Sequence, residues 1–183
     1  MKKNKISKNW LNKHRKDTFV RQSKIDGYRA RSAYKLIEIN EKFKVFKSKM
    51  CVVDLGASPG SWSQYVSKIV KSGKIISVDL KDMKEIKNTI QIKGDFTNNE
   101  IKEKIKNCIE KRSDVVMSDM AVNTTGIKDL DSIQTGELCK DAMTFSKEII
   151  SSNGFFISKI FMGVTFNEIV ALGKKIFSEV KVF

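Results

Sequence analysis

Short runs of apolar residues alternate along the chain with longer, more polar stretches. Five such runs, rich in Val, Ile and Phe, lie within CVVDLG, GKIISVDL, TIQIKGDF, SDVVMSDM and GFFISKIF. The segments between them are mostly long enough to hold a helix, which favours parallel βαβ units over hairpins. The pattern predicts a doubly wound α/β sheet, whose ligands lie at the carboxyl ends of the strands.

Helices are predicted on both sides of these strands. The stretch SAYKLIEINEKF, before the first strand, has apolar residues at mixed three- and four-residue spacing, typical of an amphipathic helix. Further helices are expected at about 61–71, 98–112, 131–151 and 165–177. The 183 residues suffice for one core, and no repeat or low-complexity linker divides them.

Composition excludes several classes of protein. A hydrophobic fraction of 40% is that of a globular chain. Three scattered cysteines and a single histidine, His14, indicate neither a disulfide framework nor a zinc site. The N-terminus has no apolar signal region, and no run of 18 apolar residues occurs. We therefore expect a cytoplasmic monomer without a metal and without membrane contact.

Basic charge is concentrated near the N-terminus. The formal net charge is +14, and residues 1–31 hold eleven Lys or Arg against Asp17 and Asp26. The aromatic residues interleaved with them are Trp10, Phe19 and Tyr28. Such a segment suits RNA, because cations bind phosphates and rings stack on bases. We predict a basic RNA-binding arm at 1–28 before a catalytic domain at 29–183; the alternative is a solvated tail.

The first strand runs into the motif VVDLGASPGSW, residues 52–62. Asp54 lies at the strand end, and Gly56 and Gly60 lie in the following turn, where a missing side chain lets a ligand approach the backbone. The spacing matches neither GxGxxG nor GxxxxGK[ST], so the usual phosphate-binding interpretations fail. A small ligand with a ribose and a cationic or amino-acid end fits better.

Acidic residues also end the next two strands. Asp79 follows about 20 residues on, where a carboxylate can accept from both ribose hydroxyls. Asp95 ends the third strand, where it could accept from an adenine amino group. Asp is common in such turns, so each acid alone is weak evidence. Three at consecutive strand ends together predict a nucleoside-containing ligand.

In combination, DLGASPGSWSQ, SVDL, KGDF, VVMSDMAVNTTG and FISKIF resemble the FtsJ-like family of S-adenosylmethionine-dependent ribosomal RNA 2′-O-methyltransferases, from about Arg29 onward. The resemblance implies a Rossmann-like class I methyltransferase sheet with helices on both faces. It also implies S-adenosylmethionine as cofactor, held by Gly60, Trp62, Asp79, Asp95 and Asp119. The implied substrate is a uridine ribose of large-subunit rRNA in the assembled large ribosomal subunit.

The resemblance further places Lys35, Asp119 and Lys159 in a catalytic Lys-Asp-Lys-Glu set. The chemistry agrees, because a ribose hydroxyl needs in-line alignment and a group that takes up its proton. A lysine does this only when neutral, a form favoured by burial and by a second cation nearby. Lys159 lies in an apolar strand and Lys35 could be that cation, while Asp119 would orient the lysine or the methyl donor. Alone, each lysine reads as a solvated side chain.

Some positions depart from the family pattern. Ser61 replaces a usual Gly, Val122 a usual Pro and Met162 a common Gln. The resemblance also predicts a sixth strand near EVKVF, then a seventh that carries the catalytic Glu. No residue supplies that strand, and Glu179 lies too early to substitute, so we expect a C-terminally truncated chain whose final strand is missing. Methylation of tRNA, or RNA binding in ribosome assembly with weakened catalysis, are the alternative functions.

Overall fold

A computed structural model describes residues 17–121 and 125–183. The first sixteen residues of the predicted arm, which include Trp10, lie outside the described residues, as does Val122. Within the described ranges the chain folds into one parallel sheet and six helices.

All five predicted strands form, and every neighbouring pair is parallel. They are β1 (Cys51–Leu55), β2 (Lys74–Asp79), β3 (Thr89–Lys93), β4 (Ser113–Ser118) and β5 (Ile150–Ser158). The order across the sheet is β3-β2-β1-β4-β5. The order therefore reverses between β1 and β4, the switch point at which α/β sheets bind ligands.

The helices are α1 (Thr18–Ile25), α2 (Ala33–Phe43), α3 (Ser61–Ser67), α4 (Asn99–Cys108), α5 (Lys128–Ile149) and α6 (Phe166–Ile176). The amphipathic helix before β1 is confirmed as α2. Helix α1 lies inside the segment predicted as an arm and was not predicted as a helix. Its start is capped by Asp17, whose Oδ1 accepts from the backbone N–H of Phe19 at 3.0 Å.

Alternate residues of the central strands enter two cores on opposite faces of the sheet. On one face Val53 of β1 packs in a cluster with Ile105 of α4 and Phe145 of α5. On the other face Val52 packs in a cluster with Leu36 of α2, together with side chains of α3. Parallel strands buried on both faces require helices on both faces, as predicted.

The last strand begins earlier than its apolar run predicted. β5 starts at Ile150, directly after α5, and ends at Ser158, so Lys159 follows the strand and is not within it. The pairing with β4 shifts register near the start of β5, between the partners of Ser113 and Val115. The shift lies beside Gly154, where a Cβ would come within 2.9 Å of a β4 carbonyl oxygen.

The predicted sixth strand at 179–183 is wrong, because these residues form no strand. A strand needs a hydrogen-bonded neighbour, and among residues 17–121 and 125–183 none pairs with the outer edge of β5. The ring of Phe183 instead packs edge-on against Phe43 of α2, with 6.1 Å between centroids.

Two further properties bear on the class of protein. The described part of the chain has no helix long and apolar enough to cross a bilayer. It also holds no cluster of three His, Cys, Asp or Glu side chains suited to a metal ion. Cys51, Cys108 and Cys139 are all free thiols.

Candidate active site

The carboxyl ends of the parallel strands lie at one edge of the sheet, where hydrogen bonds join neighbouring strand ends. The N–H of Gly94 donates to the carbonyl of Asp79 at 2.9 Å, joining the ends of β2 and β3. The N–H of Lys159 donates to the carbonyl of Ser118 at 3.0 Å, joining the ends of β5 and β4. The acids predicted from the strand ends therefore share this edge with Lys159.

The glycine-rich turn after β1 needs both glycines, for different reasons. Gly60 precedes α3 with a φ of +100°, and a Cβ there would lie 2.7 Å from Nη1 of Arg29. Gly56 has a φ of +75°, and its Cβ would lie 2.2 Å from Cγ of Met120. The sequence predicted that a ligand approaches Gly56, whereas the structure places the Met120 side chain there.

The carboxylate of Asp79 ties this turn to the loop after β2. Its Oδ2 accepts from the N–H of Ser58 at 2.9 Å, and its Oδ1 accepts from the N–H of Lys81 at 2.8 Å. A carboxylate offers about four acceptor positions, so both oxygens can accept further hydrogen bonds. Asp79 thus keeps acceptor capacity for a ribose diol while it orders the turn.

Asp95 and Trp62, both predicted to bind the cofactor, are hydrogen-bonded to other groups of the protein. Oδ1 of Asp95 accepts from the N–H and the hydroxyl of Thr97, at 2.9 and 2.7 Å. The Trp62 ring is buried in the core, and its indole N–H donates to the carbonyl of Ser32 at 2.9 Å. The predicted roles of both residues in cofactor binding stay predictions.

Ser61, the departure from the family pattern next to Gly60, is accommodated by a local hydrogen bond. Its side chain is buried, and its hydroxyl lies 2.7 Å from that of Ser32. Met162, the other described departure, is 75% exposed in the loop after β5.

Asp54 belongs to β1 and is fully buried against β2 and α3. Its Oδ2 accepts from the hydroxyl of Ser63 at 2.6 Å, and Ser63 lies 2.6 Å from the hydroxyl of Ser77. Burial raises the pKa of Asp54 to about 7; hydrogen bonds from Ser63 oppose the rise, and the charges of Asp119 and Asp79 add to it.

The second carboxylate oxygen of Asp54 has no hydrogen-bond partner within the described ranges. An unpaired buried acceptor is costly unless a donor reaches it, and the two neighbouring acids favour a cationic donor. Because Asp54 is fully buried, the carboxylates open to a ligand with a ribose and a cationic end are those of Asp79 and Asp119.

Asp119 and Lys159 form an ion pair at the ends of β4 and β5. The Asp119 side chain is 17% exposed and that of Lys159 is 39% exposed. Lys159 is therefore only partly buried, since the residue lies beyond the apolar part of β5 and beside a carboxylate.

Lys35 is not joined to this pair. Its side chain is 72% exposed and its Nζ lies 3.6 Å from Oε2 of Glu38, one turn along α2. Within the described ranges it makes no ion pair with Asp119. The structure thus brings together two of the three predicted catalytic residues.

The first turn of α5 holds the loops that follow both members of the ion pair. Asp131 accepts from the N–H groups of Thr125 and Gly126 at 2.7 and 3.2 Å, in the β4–α5 loop. These hydrogen bonds, chiefly that from Thr125, hold the pKa of Asp131 below its usual value. The carbonyl of the adjacent Ser132 accepts from the hydroxyl of Thr165 at 3.1 Å, in the β5–α6 loop. Sequence reasoning missed Asp131; an acid following a Thr-Gly turn was its only local signal.

Comparison with known proteins covers the sheet and this site. The family model for FtsJ-like methyltransferases matches residues 28–183. The ribosomal RNA large subunit methyltransferase E of Pelagibacter ubique (strain HTCC1062) is 69% identical over 183 residues, which are 100% of this chain and 90% of that protein. The protein of the same name from Rickettsia bellii (strain RML369-C) is 44% identical, over 97% of this chain and 81% of that protein.

A solved structure agrees with the fold. The crystal structure of a Plasmodium falciparum protein, described as a ribosomal RNA methyltransferase, superposes with a TM-score of 0.79 at 31% identity. The match covers 85% of this chain and 91% of that chain.

Proposed function

Because this chain belongs to the FtsJ-like methyltransferase family and is an rRNA methyltransferase that uses S-adenosylmethionine, we propose that it methylates a ribose 2′-hydroxyl. The proposed target is a uridine of large-subunit rRNA within the assembled large ribosomal subunit, modified in the cytoplasm by a monomer. The observation that carries the proposal is the ion pair of Asp119 and Lys159 beside the carboxylates at the ends of β1 and β2.

The acids at the strand ends would hold the cofactor. S-adenosylmethionine, when bound, supplies a methyl group on a positively charged sulfur. Asp79 would accept from its ribose hydroxyls, and Asp95 from its adenine amino group. Gly60 and Trp62 would contribute through the turn and the start of α3, to which they belong. The negative charge of Asp119 would stabilise the cationic end.

Lys159 is the proposed proton acceptor. Its Nζ, when neutral, takes the proton that the ribose hydroxyl loses as it attacks. The contact with Asp119 fixes the position of Nζ, which matters because alignment of the reacting groups supplies much of the acceleration in such transfers.

Lys35 is the proposed third catalytic residue and moves on substrate binding. Its pair with Glu38 is exposed and spans one helical turn, and such pairs contribute at most about 1 kcal/mol. Breaking this pair therefore costs little, and the ammonium group of Lys35 can instead contact an RNA phosphate or a group in the active site.

Helix α1 supports RNA as the substrate. Phe19 is 51% exposed, and its ring lies 5.6 Å from that of Tyr34, the residue before Lys35. Arg21 and Lys24 are exposed on the same helix. The exposed ring of Phe19, beside the helix that carries Lys35, and the exposed cations of α1 can together bind an RNA strand through stacking and phosphate contacts.

The test compares RNA substrates side by side. Purified protein with methyl-labelled S-adenosylmethionine is incubated with unmodified large subunits, free large-subunit rRNA and free tRNA, and the products are analysed for 2′-O-methyluridine. We expect label in the assembled subunit. Label mainly in tRNA would disprove the substrate, and binding of cofactor and RNA without transfer to any substrate would leave only an RNA-binding role in ribosome assembly.

A further inference from the structure

Arg29 is one of the basic residues near the N-terminus, and its position next to the predicted arm suggests a role in RNA binding. The structure gives its guanidinium group three other partners. Nη1 donates to the carbonyl oxygens of Pro59 and Lys84, at 3.1 and 2.9 Å. Nη2 donates to the carbonyl oxygen of Glu85 at 2.8 Å. One side chain therefore joins two loops that lie far apart in the sequence.

Both loops belong to the proposed cofactor site. Pro59 is in the glycine-rich turn and directly precedes Gly60. Lys84 and Glu85 are in the β2–β3 loop, which begins after Asp79. Asp79 joins the same two loops through its hydrogen bonds with Ser58 and Lys81, so Arg29 provides a second connection between them.

The main chain of Arg29 is anchored to the helix that starts at this turn. Its N–H donates to Oε1 of Gln64 on α3 at 3.1 Å, and Nε2 of Gln64 donates to the carbonyl of Gly27 at 2.8 Å. The guanidinium group also fills the space that a Cβ on Gly60 would need. The position of the side chain is therefore set from both ends.

Only arginine suits these acceptors. A guanidinium group is planar, permanently charged and carries five N–H donors in a fixed fork. Lysine has three donors on a single nitrogen, from which carbonyl groups on two loops are harder to reach together.

We propose that Arg29 is a positioning residue for the cofactor site, which holds the glycine-rich turn and the β2–β3 loop at the separation that S-adenosylmethionine requires. Preordered loops bind more tightly because less conformational entropy is lost on binding. The inference rests on the proposed cofactor site, and it assigns Arg29 to cofactor affinity and not to RNA.

The test measures cofactor and RNA binding separately on the full chain. S-adenosylmethionine affinity is determined by calorimetry for the parent, Arg29→Lys, Arg29→Gln and a control, Arg21→Gln, an exposed arginine of α1. We expect the two Arg29 variants to bind the cofactor about tenfold more weakly, the usual effect of losing a supporting charge-assisted hydrogen bond. Their RNA affinity should keep the parental dependence on salt. Arg21→Gln should keep the parental cofactor affinity and weaken the dependence of RNA binding on salt.

A purely structural role is distinguished by thermal unfolding without cofactor. We expect the ligand-free midpoint of Arg29→Lys to stay near the parental value while its rise on cofactor addition shrinks. Parental cofactor affinity of Arg29→Lys, or a loss of affinity matched by an equal loss of ligand-free stability, would overturn the inference.

Asp79→Ala separates this inference from the proposed site. If Asp79→Ala weakens cofactor binding and the Arg29 variants do not, the inference about Arg29 alone is wrong. If neither change has an effect, the proposed cofactor site is wrong, and the role of Arg29 with it.

Discussion

Asp119 and Lys159 form an ion pair although 40 residues separate them in the chain. The two residues meet because each directly follows a strand, and β4 and β5 are parallel neighbours whose ends lie at one edge of the sheet. A cation is thereby held beside a carboxylate at the ends of β4 and β5, next to the switch point between β1 and β4. The proposed proton acceptor is thus positioned by the fold itself.

Replacing Lys159 by Arg should abolish methyl transfer and preserve binding of cofactor and RNA. Arginine keeps the charge but stays protonated at any usable pH, so it cannot accept a proton. Single-turnover kinetics check this, with Lys174→Arg, an exposed lysine of α6, as the matched control. A near-parental rate for Lys159→Arg would rule out Lys159 as the base.

Asp79→Ala should weaken S-adenosylmethionine binding by roughly 1.5 to 3 kcal/mol, the usual contribution of a hydrogen bond to a charged group. The change removes both the ribose acceptor and the contact to Ser58 that orders the glycine-rich turn. Calorimetry measures the difference. Asp141→Ala serves as control, since the Asp141 side chain is exposed on α5, away from the proposed cofactor site. Equal affinities of parent and Asp79→Ala would remove this residue from the site.

Asp54 should make the protein less stable as pH rises. Its pKa in the folded state is raised to about 7 from 3.8, so the folded state holds this proton more tightly than the unfolded chain. The resulting stability is fully present below about pH 4 and is lost as pH rises through 7, with a fall of about 2 to 3 kcal/mol between pH 5 and 8. Urea unfolding of the parent and of Asp54→Asn checks this, and the fall should be absent in the variant. The same pH dependence in both proteins would contradict the assignment.

Neutralising Arg21 and Lys24 should flatten the salt dependence of RNA binding. Each phosphate contact contributes roughly 0.7 to 0.9 to the slope of log K against log salt, so Arg21→Gln with Lys24→Gln should lower it by about 1.5. These substitutions leave α1 in place, whereas deletion of residues 1–28 would also remove the contact of Gly27 with Gln64. A double change of Lys174 and Lys175 to Gln on α6 is the charge-matched control. An unaltered slope would mean that α1 does not contact RNA.

Asp131→Asn should lower the turnover rate more than it changes the cofactor KM. The substitution removes the charge that attracts the N–H groups of Thr125 and Gly126, and so loosens the loop after Asp119. Asp129→Asn, an exposed acid in the same helical turn, should be nearly neutral. Steady-state kinetics separate the two parameters. Equal turnover in the two variants would show that this loop needs no anchor.

The sheet and the positions of its acids could be predicted from the sequence. Strand and helix periodicity depends on residues two to four apart, so the five strands and α2 were found from local pattern. Asp54, Asp79 and Asp95 could be placed at one edge because parallel strands put their carboxyl ends together, whereas Asp119 was assigned by resemblance. Helix α1, which begins after Asp17, was not predicted, because its basic composition favoured the interpretation as an arm.

The partners of individual side chains were decided only by the tertiary structure. The three carbonyl acceptors of Arg29 lie 30 to 56 residues away in the chain, and no local pattern encodes such contacts. The burial of Asp54, with one oxygen unpaired, depends on how α3 packs over β1 and β2. Lys35 could be assigned to a catalytic set by resemblance, but the packing of α2 on the sheet leaves it without an ion pair to Asp119 among the described residues. Sequence thus determined which residues end the strands, because that order is local, whereas packing between distant loops determined which of those residues meet.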